Sequence, residues 1–293
     1  MNRASGGTDS SRYCYAVWMR HLVRAATAGV PPDPGCVAEL GPGDSLGVGI
    51  AAVLSGARRY IALDAKAHAN RPRNLEVFEE LVDLFGARAA IPDDQELPAV
   101  QPKLVDYRFP KQLLTESRLA DSLAASRLRE LRAAVQRGRG DGSDGIGIEY
   151  IAPWNDPAVI RKASVDFLFS QAVLEHIDDV DGAYRAMRVW MRLDGYMSHT
   201  VDFRSHDLTR SWNGHWALSD RAWRIVRGRR SYLINREPLS FHLALLTKYR
   251  FEVVGLDRRT DQLDPTFRAA KRFRSLNMDD LSTSGAFIQA RAT

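Results

Sequence analysis

Residues Val37–Asp64 read VAELGPGDSLGVGIAAVLSGARRYIALD, and this stretch decides the fold. A short apolar segment ends in Glu39, a glycine turn follows at Gly41-Pro42-Gly43, and an apolar, helix-like run extends from Leu46 to Leu54. A second strand-like segment, Tyr60–Leu63, closes on Asp64. The pattern is a β-α-β unit with a carboxylate ending its second strand. Glycine at 41 and 43 lets the backbone approach a bound molecule closely. Asp64 lies 21 residues beyond Gly43, about where such units place an acidic side chain on ribose hydroxyls. An adenosine-containing cofactor is therefore expected.

The dinucleotide fingerprint is G-x-G-x-x-G, and here the third glycine, Gly47, comes one position late. S-adenosylmethionine has no diphosphate to cradle, so it does not require that third close approach. The E-L-G-x-G segment at one strand end and L-D at the next resemble class I S-adenosylmethionine-dependent methyltransferases. VDFLFSQAVLEHI, Val165–Ile177, is similar to that family's fourth strand and the start of its next helix. Arg192-Leu193-Asp194-Gly195-Tyr196 looks like the turn before its fifth strand, usually written L-K-P-G-G. Asp194 replaces the proline, and Tyr196 the second glycine. The resemblance spans roughly Cys36–Asp202 with a long insertion in the middle. It implies S-adenosylmethionine as the cofactor and methyl transfer as the activity.

The composition of the whole chain fits a soluble globular protein: 45% of its 293 residues are apolar and 26% are charged. No apolar run reaches the roughly 18 residues of a membrane span. MNRASGGTDSSR lacks the apolar core of a signal peptide, and Cys14 and Cys36 form no metal-like or disulfide framework. A cytoplasmic location is the expectation. The net charge of +5 is mild, and acidic residues intersperse or flank the basic clusters Arg127–Arg139 and Arg221–Arg230. These read as solvated helix faces rather than a nucleic-acid surface.

Ser10–Ala28 reads as a helix capped by Ser10 or Ser11, with Tyr15, Trp18, Met19 and Leu22 at helical spacing. That aromatic stripe packs on the core or forms a lid over the cofactor, with Tyr13 and Tyr15 the better lid candidates. Asn74–Phe85 reads as a second core helix. Leu119–Arg137 reads as one helix, followed by Gly138–Gly147, whose five glycines suggest flexibility. Strands are expected at Ile148–Pro153, Ser164–Gln171, Tyr196–Asp202, Phe251–Leu256 and Ala286–Ala290, and helices at Val180–Met191 and Leu239–Lys248. The alternation predicts a doubly wound, Rossmann-like α/β fold. Its seven-stranded sheet would be mostly parallel with an antiparallel edge strand, joined by an N-terminal helix and a helical insertion. Residues 1–35 are expected as a helical cap and 36–293 as the methyltransferase domain, with an insertion at about 91–147 serving as cap or specificity element.

Glu39, Gly41, Gly43 and Asp64 are the expected cofactor contacts, with Ala152, Trp154, Ser170 and Gln171 added from the ends of strands three and four. Methyl transfer is an in-line displacement, to which positioning contributes roughly 7–11 kcal/mol in the best cases. A hydroxyl acceptor must also lose its proton, which calls for a base or a metal nearby. His176 follows strand four in the L-E-H segment, and His199, Asp202 and His206 form H-x-x-D-x-x-x-H across strand five and its following loop. These four are the catalytic candidates. A divalent-metal site on the last three is chemically possible, but residues three apart on a strand face opposite sides, and a base is preferred to a metal. Trp212, Asn213, His215, Trp216 and Trp223 suit either a flat acceptor or helix packing, and Asn235 and Arg236 either reach an acceptor or cap a helix.

The segments RYCYAVWMRHL, ELGPGDSLGVGIAAVLSG and H-x-x-D-x-x-x-H resemble a bacterial subgroup of these methyltransferases often associated with surface-polysaccharide genes. That resemblance implies O-methylation of a sugar or another small-molecule hydroxyl. The alternatives are a catalytically inactive S-adenosylmethionine-binding protein and a nicotinamide-dependent oxidoreductase. Nucleic-acid methylation is disfavoured, because Ser170-Gln171-Ala172-Val173 stands where adenine N-methyltransferases carry Asp/Asn-Pro-Pro-aromatic.

Overall fold

The computed structural model describes residues 7–67, 69, 71–138, 146–154, 156–264 and 266–293. Seven strands form one sheet: β1 (Cys36–Leu40), β2 (Arg59–Leu63), β3 (Gly147–Ile151), β4 (Val165–Gln171), β5 (Met191–Asp202), β6 (Phe251–Thr260) and β7 (Thr283–Ala292). Their order is β3-β2-β1-β4-β5-β7-β6. The first five are mutually parallel. β7 runs antiparallel to both its neighbours, sitting one place in from the edge, with β6 closing the sheet. Successive side chains enter opposite layers, as strand pleating requires. Val37, Tyr60, Ala62, Phe167 and Phe169 pack into one core, and Ala38, Leu40, Ile61, Leu63 and Leu168 into the other.

The first layer holds α1 (Ser11–Thr27), α2 (Gly47–Leu54), α3 (Arg71–Gly86), α4 (Glu116–Ser122) and α5 (Ala125–Arg137). Ser10 caps α1 by accepting from the Tyr13 amide at 3.3 Å. Cys14, Tyr15, Trp18, Met19 and Leu22 are buried against α2, α3 and the sheet. Trp18 meets Phe167 edge to face and Phe169 at a tilt, and donates its indole N–H to Ser55 Oγ at 2.8 Å. Burying such a ring contributes about 3–5 kcal/mol relative to alanine. Gly47 has a packing reason: a Cβ there would lie 2.4 Å from Cys14 Sγ. The glycine that falls one place late in the fingerprint lets α1 close on α2.

The other layer holds α6 (Val180–Trp190) and α8 (Leu239–Lys248), with the short helices α7 (Asp220–Arg227) and α9 (Met278–Ser282) at the periphery. Two expectations are corrected. The single helix Leu119–Arg137 is two, α4 and α5, with Leu123 as the α4 C-cap and a new start at Ala124 in extended geometry. Leu119 and Leu131 both reach the core across this break, so tertiary packing overrides the helical periodicity. Strand five begins at Met191, before the expected turn. Val165 pairs with Met191 and Phe167 with Tyr196, so residues 192–195 form an excursion within the strand, with Asp194 at φ +61°.

In the insertion, residues 91–115 carry no helix or strand. Buried Arg20 pins them, donating to the carbonyls of Pro92 (2.7 Å) and Val100 (2.6 Å) and lying over the Tyr107 ring. The flexible glycine stretch expected at 138–147 falls largely on 139–145, outside the described residues.

Candidate active site

A cavity of about 840 Å³ opens at the carboxyl ends of β1, β2, β3 and β4. That volume suits a ligand of several hundred daltons, and this end of an open α/β sheet is where ligands bind. Glu39, Gly41, Gly43, Asp64, Trp154, Gln171 and His176 line it. Gly41 is required twice over. Its φ is +66°, and a Cβ there would lie 2.6 Å from Val173 Cγ2. Gly43 also sits at positive φ, +78°.

Asp64 accepts from the Ala65 amide at 2.7 Å, and the Tyr150 hydroxyl stands 3.2 Å from its other oxygen. Glu39 is buried beneath the glycine loop, its carboxyl accepting from the Tyr60 hydroxyl. Burial pushes that carboxyl up to about 8; the Tyr60 bond opposes this, and the Asp64 charge adds to it. Thr8 lines the cavity and accepts from the Asp44 amide (2.9 Å) through its hydroxyl and from Ser45 Oγ through its carbonyl. The segment before α1 is thus bolted to the glycine loop. Tyr13 also faces the cavity, whereas Tyr15 packs on Phe85 and donates to the Ala89 carbonyl.

Gln171 lines the cavity, and its Oε1 lies 3.1 Å from His21 Nε2. Ser170 points away, fully buried, with its hydroxyl 2.8 Å from His199 Nδ1. Of the two contacts expected after strand three, Trp154 lines the cavity, with Pro153 beside it in place of Ala152. Trp154 is held edge-on by Trp190.

Also on the cavity wall, His176 Nδ1 lies 2.8 Å from the Tyr232 carbonyl oxygen. A carbonyl only accepts, so the proton sits on Nδ1 and Nε2 keeps its lone pair. Burial lowers the His176 pKa, the neighbouring His206 lowers it further, and the ring is neutral at pH 7. The two imidazoles stand edge to face, centroids 5.0 Å apart. Glu175 is 3% exposed. Its Oε1 accepts from the Asp202 amide at 3.3 Å, and Oε2 has no partner among the described residues. Burial pushes its carboxyl up to about 8. Ligand atoms of Glu175, His176 and His206 all lie within 4.8 Å of one another, a grouping able to hold a metal ion.

Asp202 Oδ2 lies 3.8 Å from His206 Nε2, but its carboxylate is forked by Arg204 at 2.5 and 3.0 Å. Burial opposes its charge, and the Arg204 bonds outweigh burial and hold it below the usual range. His176, Asp202 and His206 are therefore brought together. His199 is not. It is fully buried in β5, bonded to Ser170, and burial lowers it to about 3. Glu175 stands within the L-E-H segment and is a candidate that the sequence-based catalytic set did not include.

The aromatic loop after β5 packs rather than lining the cavity. Trp212 donates to the Gln262 carbonyl and Trp216 to the Arg236 carbonyl. Arg236 lies over Trp223 and Phe273 and pairs with Asp220. Asn235 instead supports the site, its amide group donating to the Leu174 and Ile177 carbonyls at 2.7 and 2.9 Å on either side of Glu175-His176.

A parallel sheet ordered 3-2-1-4-5, extended by an antiparallel seventh strand inserted before the sixth, with its cavity over the first strands, is distinctive. The chain has the class I methyltransferase fold. No family model matches the sequence, and no curated protein matches it. Solved structures are similar to this methyltransferase fold at low identity. An S-adenosylmethionine-dependent methyltransferase from Mesorhizobium loti is 12% identical over 92% of this chain and 96% of its own, with a TM-score of 0.46. One from Methanosarcina mazei is 12% identical over 89% and 92%, with a TM-score of 0.44. The YcgJ protein from Bacillus subtilis is 13% identical over 94% and 98%, with a TM-score of 0.45. Among the described residues, no helix is long and apolar enough to cross a membrane.

Proposed function

We propose that the chain is an S-adenosylmethionine-dependent methyltransferase acting on a hydroxyl of a sugar or other small molecule. The observation that carries this reading is one continuous cavity. It is lined by Glu39, Gly41, Gly43 and Asp64 and also by His176. Asp64 would hold the ribose hydroxyls, Glu39 the cofactor's ammonium or the loop that meets it, and Trp154 the adenine. Gln171, which lines the same cavity, would face the methionyl portion.

The acceptor oxygen would enter beside His176, with Asp202 and His206 behind it. Its O–H bond breaks, with the proton leaving toward this cluster. The oxygen's electron pair forms the new bond to the methyl carbon. The carbon–sulfur bond breaks and returns its pair to sulfur, leaving S-adenosylhomocysteine. A neutral His176 with a free Nε2 suits either accepting that proton or positioning the hydroxyl.

Calorimetric titration with S-adenosylhomocysteine tests the cofactor assignment. Transfer of a labelled methyl group to a panel of nucleotide sugars and glycans tests turnover. Tight S-adenosylhomocysteine binding without turnover on any acceptor would favour an inactive binding protein.

A further inference from the structure

We propose that Glu175, His176 and His206 form a binding site for one divalent transition-metal ion at the acceptor end of the cavity. The ion binding stands by itself; its action on an acceptor hydroxyl rests on the methyl-transfer reading above.

Three observations place it. First, one ligand atom from each side chain lies within 4.8 Å of the other two. Three ligand atoms each about 2.1 Å from one ion can be no more than about 3.6 Å apart on average. Closing the site therefore needs a movement of up to about one ångström. His206 has the freedom for it, being on a loop with its side chain 32% exposed. Second, Glu175 is 97% buried by its 3% exposure, yet Oε2 has no partner among the described residues. A buried carboxylate oxygen without a partner costs stability unless a cation or donor meets it. Third, His176 is already oriented as a ligand. Its Nδ1–H donates to the Tyr232 carbonyl at 2.8 Å, the outer bond that fixes metal-binding imidazoles and leaves Nε2 for the ion. Asn235 holds the backbone on both sides of that pair.

The carboxylate is Glu175 rather than Asp202, because Arg204 occupies both Asp202 oxygens. Two imidazole nitrogens and one carboxylate oxygen suit Mn²⁺, Fe²⁺, Co²⁺ or Zn²⁺ better than Mg²⁺ or Ca²⁺, which favour all-oxygen sites. Three protein ligands leave coordination positions for the acceptor. His176 lines the cavity, so those positions face the proposed methyl donor. An alcohol oxygen bound to such an ion loses its proton at a far lower pH than a free alcohol. The ion would thus supply both the activation and the positioning of the nucleophile.

The test is titration of the chelator-stripped full chain with CoCl₂, read by calorimetry and by visible absorption, with no acceptor present. One Co²⁺ per chain is expected, with a micromolar dissociation constant. Glu175→Gln and His206→Ala should each weaken it at least about tenfold, while thermal melting stays cooperative. No uptake at millimolar Co²⁺, or variants that bind like wild type, would overturn the site. S-adenosylhomocysteine binding, measured on the same samples, separates the two readings. Co²⁺ bound at this cluster without S-adenosylhomocysteine binding supports the metal site and counts against the methyl-transfer reading. The reverse overturns the metal site alone.

Discussion

Tyr150 on β3 holds its hydroxyl 3.2 Å from the Asp64 carboxylate that ends β2. The register explains the meeting: Tyr150 lies beside Ala62, two residues short of Asp64 on the neighbouring strand. With the Ala65 amide on the other oxygen, the carboxylate is fixed before any ribose arrives. Tyr150→Phe removes one hydroxyl proton shared between the Asp64 carboxylate and the Lys66 carbonyl, each 3.2 Å away, so the loss falls below a full charged bond, at about 0.5–1.5 kcal/mol. S-adenosylhomocysteine affinity should fall about two- to tenfold. In an Asp64→Ala background the same change should have little further effect, because the partner it orients is gone. Additive losses in calorimetry would mean that Tyr150 acts elsewhere.

Glu39 predicts a proton exchange. Its folded carboxyl sits at about 8 against an ordinary 4.5, so the ligand-free chain carries it neutral at pH 7. Meeting the cofactor's ammonium requires the charged form, and binding at pH 7 should release a proton. Titration enthalpies in phosphate and Tris should therefore differ, and Glu39→Gln should remove the difference. The stability sign follows. A carboxyl raised on folding contributes fully below about 4.5, and the contribution is lost as pH rises toward about 8. Glu39→Gln should flatten the fall in melting temperature of the ligand-free chain across that window. Equal enthalpies in both buffers would contradict the assignment.

Gly41 and Val173 should be coupled. Alanine at 41 takes up the left-handed cost of about 1–3 kcal/mol and also meets Val173 Cγ2 at 2.6 Å. Gly41→Ala should lower the melting temperature by several degrees and weaken S-adenosylhomocysteine binding. Adding Val173→Ala should restore part of the loss, since it relieves the contact but not the φ. No recovery in the double variant would show that backbone strain alone sets the penalty.

The imidazoles should separate by assay. His176→Ala and His206→Ala should lower turnover by about 10²–10⁴-fold and leave S-adenosylhomocysteine affinity nearly unchanged. His199→Ala should instead lower melting temperature, because it deletes a buried ring bonded to Ser170. Chelation should lower turnover in parallel with the His206 variant. Normal turnover in both His176 and His206 variants would move the chemistry away from this cluster.

The β-α-β unit and the alternation of strands and helices were legible because glycine turns, apolar runs and strand-ending acids are local signals, whereas the place of the antiparallel strand, one in from the edge, was not. Asp64, Glu39 and the glycines could be named from them. What could not be read depends on register and on contacts between distant segments. Thr8 meets the glycine loop 36 residues on, Tyr150 meets Asp64 across a strand pair, and the Gly47 packing reason lies on another helix. His199 stood with Asp202 and His206 among the catalytic candidates of H-x-x-D-x-x-x-H, and the pleat turns it to Ser170. The short L-E-H turn brings His176 to His206 instead. Glu175 was visible in that motif, and only its burial with an unpartnered oxygen marks it out.

The most direct test of the central claim is calorimetric titration of the full chain with S-adenosylhomocysteine and, separately, with NAD. The account predicts one S-adenosylhomocysteine per chain, at least roughly tenfold weaker in Asp64→Ala because charged hydrogen bonds to the ribose, about 1.5–3 kcal/mol each, are lost. NAD should give no saturable binding. No S-adenosylhomocysteine binding, binding indifferent to Asp64→Ala, or tighter binding of NAD would contradict it.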